Sequence, residues 1–189
     1  MPRSFPAFRK SSKQRCFPVM QSGCSGFDGT MSQTAHTIEA VHHIGMTVAS
    51  LETALRFWEA FLGKPARWTT VLDRPYLSRV VGYPNVAINA AFIDLPGGGV
   101  IELLDYRVAG RTANADATAN PGNVHLCLKV ADARSTWQRA VDCGAKPISP
   151  DGPVAIDGGP NIGAQAAYLR IHDGITLELF QTPRKDRSA

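Results

Sequence analysis

Residues 90–104, AAFIDLPGGGVIELL, align position for position with residues 166–180, AAYLRIHDGITLELF. In each stretch two apolar runs flank a turn, Pro-Gly-Gly-Gly in the first and His-Asp-Gly in the second, which is typical of two strands joined by a hairpin. Each stretch places a glutamate at the same position, Glu102 in the first and Glu178 in the second. This repeat predicts that the chain contains two copies of one structural module.

Matching segments also lie upstream of the two hairpins. HIGMTVAS begins at His43 and HLCLKVAD begins at His125. Ser50 and Asp132, two residues suited to cap the start of a helix, each follow their histidine by seven residues. Agreement between unlike residues with the same role indicates a duplicated unit, and each copy supplies one histidine and one glutamate.

The two modules show the same order of predicted elements. Val41–Val48 and Val124–Val130 are short apolar runs with β-branched residues, which predict strands. Apolar residues at helical spacing predict a helix over Leu51–Leu62 that stops at Gly63, and Gly144 stops the helix of the second module. The strand-like runs that follow are Arg67–Leu72, Val86–Leu95 and Val100–Tyr106 in the first module and Val154–Ile156, Ala166–Ile171 and Ile175–Gln181 in the second. Each module is therefore predicted to be β-α-β-β-β.

The repeat also sets the domain organisation. The predicted segments are a disordered tail at 1–36, a single domain at 37–182 (module one at 39–107, a linker at 108–122, module two at 123–182) and a tail at 183–189. Disorder is expected because residues 1–30 are polar, contain Pro and Gly, and lack periodicity. Met31 could start a shorter chain, so the sequence leaves open whether residues 1–30 belong to the native protein.

Charge and composition exclude several classes of function. Residues 1–30 hold five basic residues and one acid, and the remaining 15 basic and 15 acidic residues balance. The folded part therefore lacks the basic face that nucleic-acid binding needs. No apolar run approaches the ~20 residues that span a bilayer. The four cysteines form no CxxC pair, which argues against a thiolate zinc site and favours a reduced, cytoplasmic protein.

Strand alternation places the histidines and glutamates on one side of each module. In the first strand Met46 faces the helix, whereas His43 faces the other way; His42 is assigned a structural or solvated role. In the second module His125 points away from the apolar face of its strand, as His43 does in the first. Glu102 and Glu178 each interrupt an apolar run. If the two modules curl towards each other, the four side chains can converge in one cleft.

The repeat favours a metal site over a structural role for these side chains. A single histidine or glutamate in a strand is usually structural or solvated. That explanation does not suit two glutamates at the same position of a repeat. Burying two carboxylates costs a great deal of free energy unless a divalent cation neutralises them. The sequence thus predicts a metal held by His43, Glu102, His125 and Glu178.

Two further residues on the same side are candidate substrate contacts. Lys129 could bind an anionic substrate group, although a solvated lysine at the rim is the alternative. Tyr168 could orient a substrate through its hydroxyl. Its counterpart in the first module is Phe92, so a packing role for Tyr168 is also open.

The sequence resembles the vicinal oxygen chelate superfamily, which includes glyoxalase I, methylmalonyl-CoA epimerase, extradiol dioxygenases and fosfomycin- and bleomycin-resistance proteins. The resemblance covers most of residues 39–182 and rests on HIGMTVASLETALRFWEAFLG, VIELLDY, NVHLCLKVADA and AAYLRIHDGITLELFQ. It implies an α+β fold in which paired β-α-β-β-β modules form a curved, mixed eight-stranded sheet around a metal cleft. Two departures from the family pattern, at Phe57-Trp58 and at Ile171-His172-Asp173-Gly174, fall in packing and turn positions.

The resemblance implies a metal-dependent isomerase or lyase, similar to glyoxalase I or methylmalonyl-CoA epimerase. Such an enzyme moves a proton alpha to a carbonyl through a metal-bound enediolate, and Glu178 or Glu102 would be its general base. A second glutamate ligand favours nickel, cobalt or zinc, with iron or manganese as alternatives. The implied partners are a small-molecule substrate, which can be a thiol or CoA conjugate, and a second copy in a homodimer. The sequence leaves open whether the site closes within one chain or across two.

Two other functions stay open. An Fe(II)-dependent extradiol ring-cleaving dioxygenase is one, because Tyr168 stands ten residues before Glu178, as a tyrosine does in those enzymes. A ligand-sequestering protein without chemistry is the other. The bleomycin-binding members lack the metal ligands, whereas this sequence has them.

Overall fold

Two β-sheets organise the described chain, which comprises residues 38–113 and 117–183 of a computed structural model. The first module contains β1 Ile44–Thr47, α1 Leu51–Leu62, β2 Trp68–Leu72, α2 Tyr76–Val81, β3 Ile88–Asp94 and β4 Val100–Tyr106. The second contains β5 His125–Lys129, α3 Ala133–Asp142, β6 Lys146–Pro147, β7 Val154–Ala155, β8 Gln165–Arg170, a 3-10 turn at His172–Gly174 and β9 Thr176–Gln181. None of these helices is long and apolar enough to cross a membrane. The tail predicted at 1–36, and all but Pro183 of the tail predicted at 183–189, lie outside the described residues.

The two sheets repeat one topology. The strand order is β1-β4-β3-β2 in the first sheet, where β1 runs parallel to β4 and the other neighbours are antiparallel. The second sheet has the order β5-β9-β8-β6, again with its first pair parallel, and β7 also pairs with β8. This confirms the α+β class and the duplicated module. The expected single sheet of eight strands is instead two sheets with nine strands in the described ranges, because two very short strands, β6 and β7, both pair with β8 and each module forms its own ladder.

Local capping fixes both long helices at equivalent places. Ser50 Oγ accepts a hydrogen bond from the Thr53 N–H at 3.3 Å, and α1 has the boundaries predicted from the sequence. Gly63 ends α1 in the left-handed conformation, with a φ of 71°, where a side chain would be strained. In α3 the cap is Asp132, whose Oδ1 accepts from the Ser135 N–H at 2.7 Å.

Both helices pack into one shared core. Trp58 of α1 is fully buried and Trp137 of α3 is 9% exposed. The same cluster contains Leu103 of the first sheet and Leu179 of the second, both fully buried. Burial of each such side chain contributes about 1.5–3 kcal/mol. The two modules are therefore held together by the apolar faces that their helices and sheets share.

Arg139 adds a polar link between the same two helices. Its Nε donates to the carbonyl of Phe61 at 2.7 Å, and its Nη2 donates to the carbonyl of Ala60, also at 2.7 Å. These carbonyls lie in the last turn of α1, where backbone acceptors lack partners within the helix. Arg139 of module two thus completes the end of the module-one helix.

The main core uses one face of each sheet and leaves the opposite faces open, except at one end of the first sheet, where Ile88 packs with Leu77 and Val86 in a smaller cluster. Met46 and Leu103 point into the core, so Glu102, next to Leu103 in β4, points away from it. In β5 Leu126 packs against the core and His125 points away. The predicted alternation is confirmed at these positions. It fails at Val124, which is 80% exposed because β5 begins one residue later.

The sequence did not predict α2. Its six residues are too few for a helical repeat of apolar positions to be recognised, and Pro75 at its start offers no side-chain cap. Leu77 holds the helix in place by packing with Val86 and Ile88 in a second, smaller core cluster. α2 is therefore fixed by tertiary contacts.

Candidate metal centre

His43 and Glu102 form a close contact on the open face of the first sheet. His43 Nε2 lies 3.0 Å from Glu102 Oε2. Glu102 is in the middle of β4, and its Cα pairs with that of Gly45, two residues after His43. The side chain of Glu102 is 15% exposed and that of His43 is 34% exposed. The pair is thus partly shielded but open to a ligand from one side.

His42 contacts the same imidazole at its other nitrogen. The Nδ1 atoms of His42 and His43 lie 2.7 Å apart, so one must donate to the other. When His43 is the donor, its Nε2 carries the lone pair and faces Glu102 as a metal ligand would. The sequence assigned His42 a structural or solvated role, and the only signal for this contact was that the two histidines are adjacent.

His125 and Glu178 repeat the contact on the open face of the second sheet. Their Nε2 and Oε2 atoms also lie 3.0 Å apart, and the side chains are 41% and 16% exposed. The Tyr168 hydroxyl lies 3.5 Å from His125 Nε2. The structure therefore brings Tyr168, a predicted substrate contact, beside the second pair.

Cys127 stands in the second module where Gly45 stands in the first, directly opposite Glu178 in the strand register. Burial, followed by the hydrogen bond and charge of Glu178, raises the pKa of the Cys127 thiol to about 11. In the absence of a bound metal the thiol is therefore protonated at neutral pH. Burial, and then the charge of Glu178, also raises the pKa of Tyr168, so its hydroxyl stays a donor.

The spacing in both pairs suits two ligands of one cation. Imidazole nitrogens and carboxylate oxygens bind zinc at about 2.0–2.2 Å, so two such ligands at a right angle stand about 3 Å apart. Imidazole with carboxylate is also a donor set that suits zinc, nickel and related metals. The residues present therefore fit a divalent metal, and each pair supplies two of the ligands that it needs.

The structure brings the four predicted ligands together as two pairs and not as one cluster. Over residues 38–113 and 117–183, no group of three or more His, Cys, Asp or Glu side chains is placed to hold a metal. One pair lies on each sheet, on the face opposite the shared core. We call each His–Glu pair a half-site. The metal centre formed by all four residues stays a prediction.

The two half-sites have equivalent ligands but different surroundings. Phe92 pairs with Glu102 across β3 and β4, and its ring centroid lies 5.7 Å from that of His43. Trp68 of β2 follows in the same row, 4.7 Å from Phe92. Tyr168 takes the place of Phe92 in the second sheet. The first half-site is thus flanked by apolar rings and the second by a hydroxyl and a thiol.

Lys129, the other predicted substrate contact, lies at the opposite end of β5 from His125. It lines a groove of about 370 Å³ together with Gln181 and Pro183. A wider groove of about 570 Å³ lies on the helix side of the first sheet, where Ser50 and Asp105 are among its lining residues. Neither groove is lined by a half-site residue, so the candidate chemistry lies on the open sheet faces.

The chain is similar to known proteins over most of its length. The family model described as the Glyoxalase/Bleomycin resistance protein/Dioxygenase superfamily matches residues 42–163. A 2-epi-5-epi-valiolone epimerase from an Actinomyces species is 28% identical over 149 residues, which are 76% of this chain and 80% of that protein.

Solved structures share the fold. A glyoxalase family protein from Bacillus cereus matches with a TM-score of 0.68 at 20% identity, covering 81% of this chain and 100% of that chain. A mutant of glyoxalase I from Zea mays matches with a TM-score of 0.52 at 16% identity, covering 75% of this chain and 45% of that chain. At these identities the likeness shows the fold alone.

Proposed function

Because the chain belongs to the glyoxalase/bleomycin resistance protein/dioxygenase superfamily, we propose that it is a metal-dependent isomerase or lyase that moves a proton on a carbon next to a carbonyl group. One observation carries the proposal: two equivalent His–Glu contacts, each with an imidazole Nε2 3.0 Å from a carboxylate oxygen. Two imidazoles and two carboxylates can hold and neutralise a divalent cation. A carboxylate in the same site can also accept a proton.

The complete site, in this proposal, forms between two copies of the chain. One half-site supplies two ligands, whereas a catalytic zinc site uses at least three protein ligands. In a homodimer the His43–Glu102 half-site of one protomer would face the His125–Glu178 half-site of the other, and two-fold symmetry would give two equal sites. The open sheet faces support this arrangement, since they are the surfaces that a second copy could reach.

The residues of the chain then have defined roles. Nickel, cobalt or zinc, when bound, would supply the Lewis acidity that polarises a substrate carbonyl. His43 and His125 bind through Nε2, and His42 orients His43 through its Nδ1. Glu178 or Glu102 takes the proton onto a carboxylate oxygen and then returns it to a carbon.

The carbon that receives the proton decides the class of reaction. Return to the neighbouring carbon gives an isomerisation of the glyoxalase type, and return to the other face of the same carbon gives an epimerisation. Similarity to a protein named as an epimerase supports a reaction of this group. The substrates to test first are an α-ketoaldehyde–thiol adduct and a 2-substituted acyl-CoA.

Metal content and proton exchange test the proposal. The purified full chain should contain nickel, cobalt or zinc at about one metal per chain, as two equal sites in a dimer require. Glu102→Gln and Glu178→Gln should each lower solvent deuterium uptake into the substrate by a factor of about 100 or more. Glu52→Gln, at an exposed position of α1, is the matched control and should exchange as the wild type does. Undiminished exchange in both active-site variants would remove the carboxylates from the mechanism.

A ring-cleaving dioxygenase is the second candidate, favoured by the Tyr168 hydroxyl 3.5 Å from His125 Nε2. Iron in the purified protein, with oxygen uptake in the presence of a catechol, would support it and contradict the isomerase or lyase. A binding protein without chemistry would instead bind its ligand tightly after chelation of the metal.

A further inference from the structure

We propose that Trp68 and Phe92 form an aromatic shelf beside the His43–Glu102 half-site and that this shelf binds a flat apolar group of the substrate. The inference rests on the proposed function, because the oxygen atoms of the same substrate would reach the half-site. It names a substrate class: small molecules in which an aromatic or other flat apolar group adjoins two neighbouring oxygen-bearing atoms.

The strand register places the shelf and the half-site on one face. Trp68 pairs with Phe92 across β2 and β3, and Phe92 pairs with Glu102 across β3 and β4. Directly paired residues of neighbouring strands project from the same side of a sheet. The indole, the phenyl ring and the carboxylate therefore follow one another in a single row across three strands.

Ring geometry within the row is that of contacting aromatic groups. The centroids of Trp68 and Phe92 lie 4.7 Å apart with planes at 36°. Those of Phe92 and His43 lie 5.7 Å apart with planes at 39°. Aromatic rings attract one another at such separations. The row thus leads without a break from the edge strand β2 to the imidazole of the half-site.

Exposure distinguishes Trp68 from the other tryptophans. Trp68 is 36% exposed, whereas Trp58 is fully buried and Trp137 is 9% exposed in the shared core. One exposed apolar side chain would need no explanation. Here the exposed ring continues a row that ends at a polar half-site, so a ligand ring on Trp68 would leave water while the ligand oxygens stay within reach of His43. Removal of this apolar surface from water favours binding.

The shelf has no counterpart in module two. Tyr168 replaces Phe92 opposite the glutamate. The register in which Pro147 pairs with Leu169 brings Ile148 opposite Tyr168, where Trp68 stands opposite Phe92 in module one. The Tyr168 hydroxyl and the Cys127 thiol are hydrogen-bonding groups. In a site built from one half-site of each kind, the substrate would meet rings at one end and donors at the other. The preferred substrate is therefore apolar at one end only.

Two matched hydroxamic acids test the shelf in the zinc-loaded full chain. Benzohydroxamic acid and acetohydroxamic acid carry the same two neighbouring oxygens, but only the first carries a flat ring. Isothermal titration should show that benzohydroxamic acid binds at least about tenfold more tightly to the wild type. In Trp68→Ala the two compounds should bind with about equal affinity, whereas Trp68→Phe should keep most of the preference for benzohydroxamic acid. Ile148→Ala, at the equivalent position of module two, is the control and should keep the wild-type preference.

A metal-free arm separates the shelf from the proposed function. Saturation-transfer NMR with benzyl alcohol, on the chain treated with EDTA, should show transfer to the ring protons in the wild type and in Ile148→Ala, but little in Trp68→Ala. If neither hydroxamic acid binds the zinc-loaded protein, the proposed metal site is wrong, and the benzyl alcohol result decides the shelf alone.

Equal affinities for the two hydroxamic acids in the wild type would overturn the shelf, as would a ring preference that survives Trp68→Ala. A second copy of the chain seated on Trp68 is the competing occupant. In that case Trp68→Ala would shift the oligomeric state in sedimentation velocity and benzyl alcohol would receive no transfer, which also overturns the proposal.

Discussion

The imidazole of His172 packs edge-on against the indole of Trp58, with ring centroids 6.5 Å apart and planes at 73°. His172 belongs to the turn between β8 and β9 of module two, whereas Trp58 lies on α1 of module one. The His172 side chain is 6% exposed, and its buried Nε2 has no hydrogen-bond partner in the described part of the chain. The contact between the modules therefore contains a titratable group that is held in its neutral form.

Acid should destabilise the protein through His172. Burial lowers its pKa below the ordinary 6.5, and the hydrogen bond and charge of Asp173, 3.2 Å away, only partly oppose this. Because the folded pKa is depressed, the unfolded chain binds the proton at a higher pH than the folded protein does. The contribution of His172 to stability is thus complete above about pH 6.5 and decreases as the pH falls towards the folded pKa.

Thermal and urea unfolding between pH 8 and pH 5 measure this effect. In the wild type, His172 should lower the free energy of unfolding by up to about 1.4 kcal/mol per pH unit below pH 6.5. His172→Asn should show a flatter dependence, since it removes the titration. The same slope in both proteins would show that another group causes the acid sensitivity.

Loss of the Arg139 link should weaken the contact between α1 and α3. Arg139→Ala removes two charged hydrogen bonds to backbone carbonyls of α1, and we expect the free energy of unfolding to fall by about 1.5–3 kcal/mol. Arg56→Ala is the matched control, because Arg56 forms an exposed pair with Glu52 on the same helix, and it should cost less than about 0.5 kcal/mol. Equal losses in urea unfolding would contradict a specific role for Arg139.

His42 should tune metal affinity through the tautomer of His43. His42→Ala removes the Nδ1 contact of 2.7 Å, so His43 loses the partner that can hold its Nε2 lone pair towards the cation. We expect zinc affinity, measured by competition with a chromophoric chelator, to fall by about 10- to 100-fold. Val124→Ala alters the residue that precedes His125 and should leave the affinity unchanged. An unaltered affinity in His42→Ala would show that its contact does not act on the metal.

Mixing two inactive variants tests whether the half-sites of different chains combine. His43→Ala damages the first half-site and His125→Ala damages the second. In a mixed dimer one composite site carries both changes and the other carries neither. Unfolding and refolding an equimolar mixture should therefore restore zinc binding and activity to about a quarter of the wild-type level, because about half of the dimers are mixed and each has one intact site. If both half-sites of a site came from one chain, mixing would restore nothing.

Local signals made several elements predictable from the sequence. Ser50 and Gly63 mark the start and end of α1 by side-chain capping and left-handed geometry, and both signals are visible in the residues themselves. Glu102 and Glu178 hold the same position of the aligned hairpins, and His43 and His125 each begin a matched upstream segment, so that the four residues could be recognised. The structure places both members of each pair in contact.

Other features depend on contacts between distant parts of the chain. α2 is held by Leu77 against Val86 and Ile88, and six residues carry too little local signal for prediction. Among the described residues, the strands of each module pair only with one another, and the core that contains Trp58 and Trp137 leaves the half-sites on the opposite faces of the two sheets. Strand alternation gives the side on which a residue lies, but not the partner that this side meets.

The core that α1 and α3 share also bears on the history of the duplication. A single copy of the repeat, expressed alone, would present the indole of Trp58 or Trp137 to water. It could hide that apolar layer only against a twin of itself. One copy of the repeat is therefore not expected to fold by itself. The full chain, with both copies, is expected to unfold in one cooperative step.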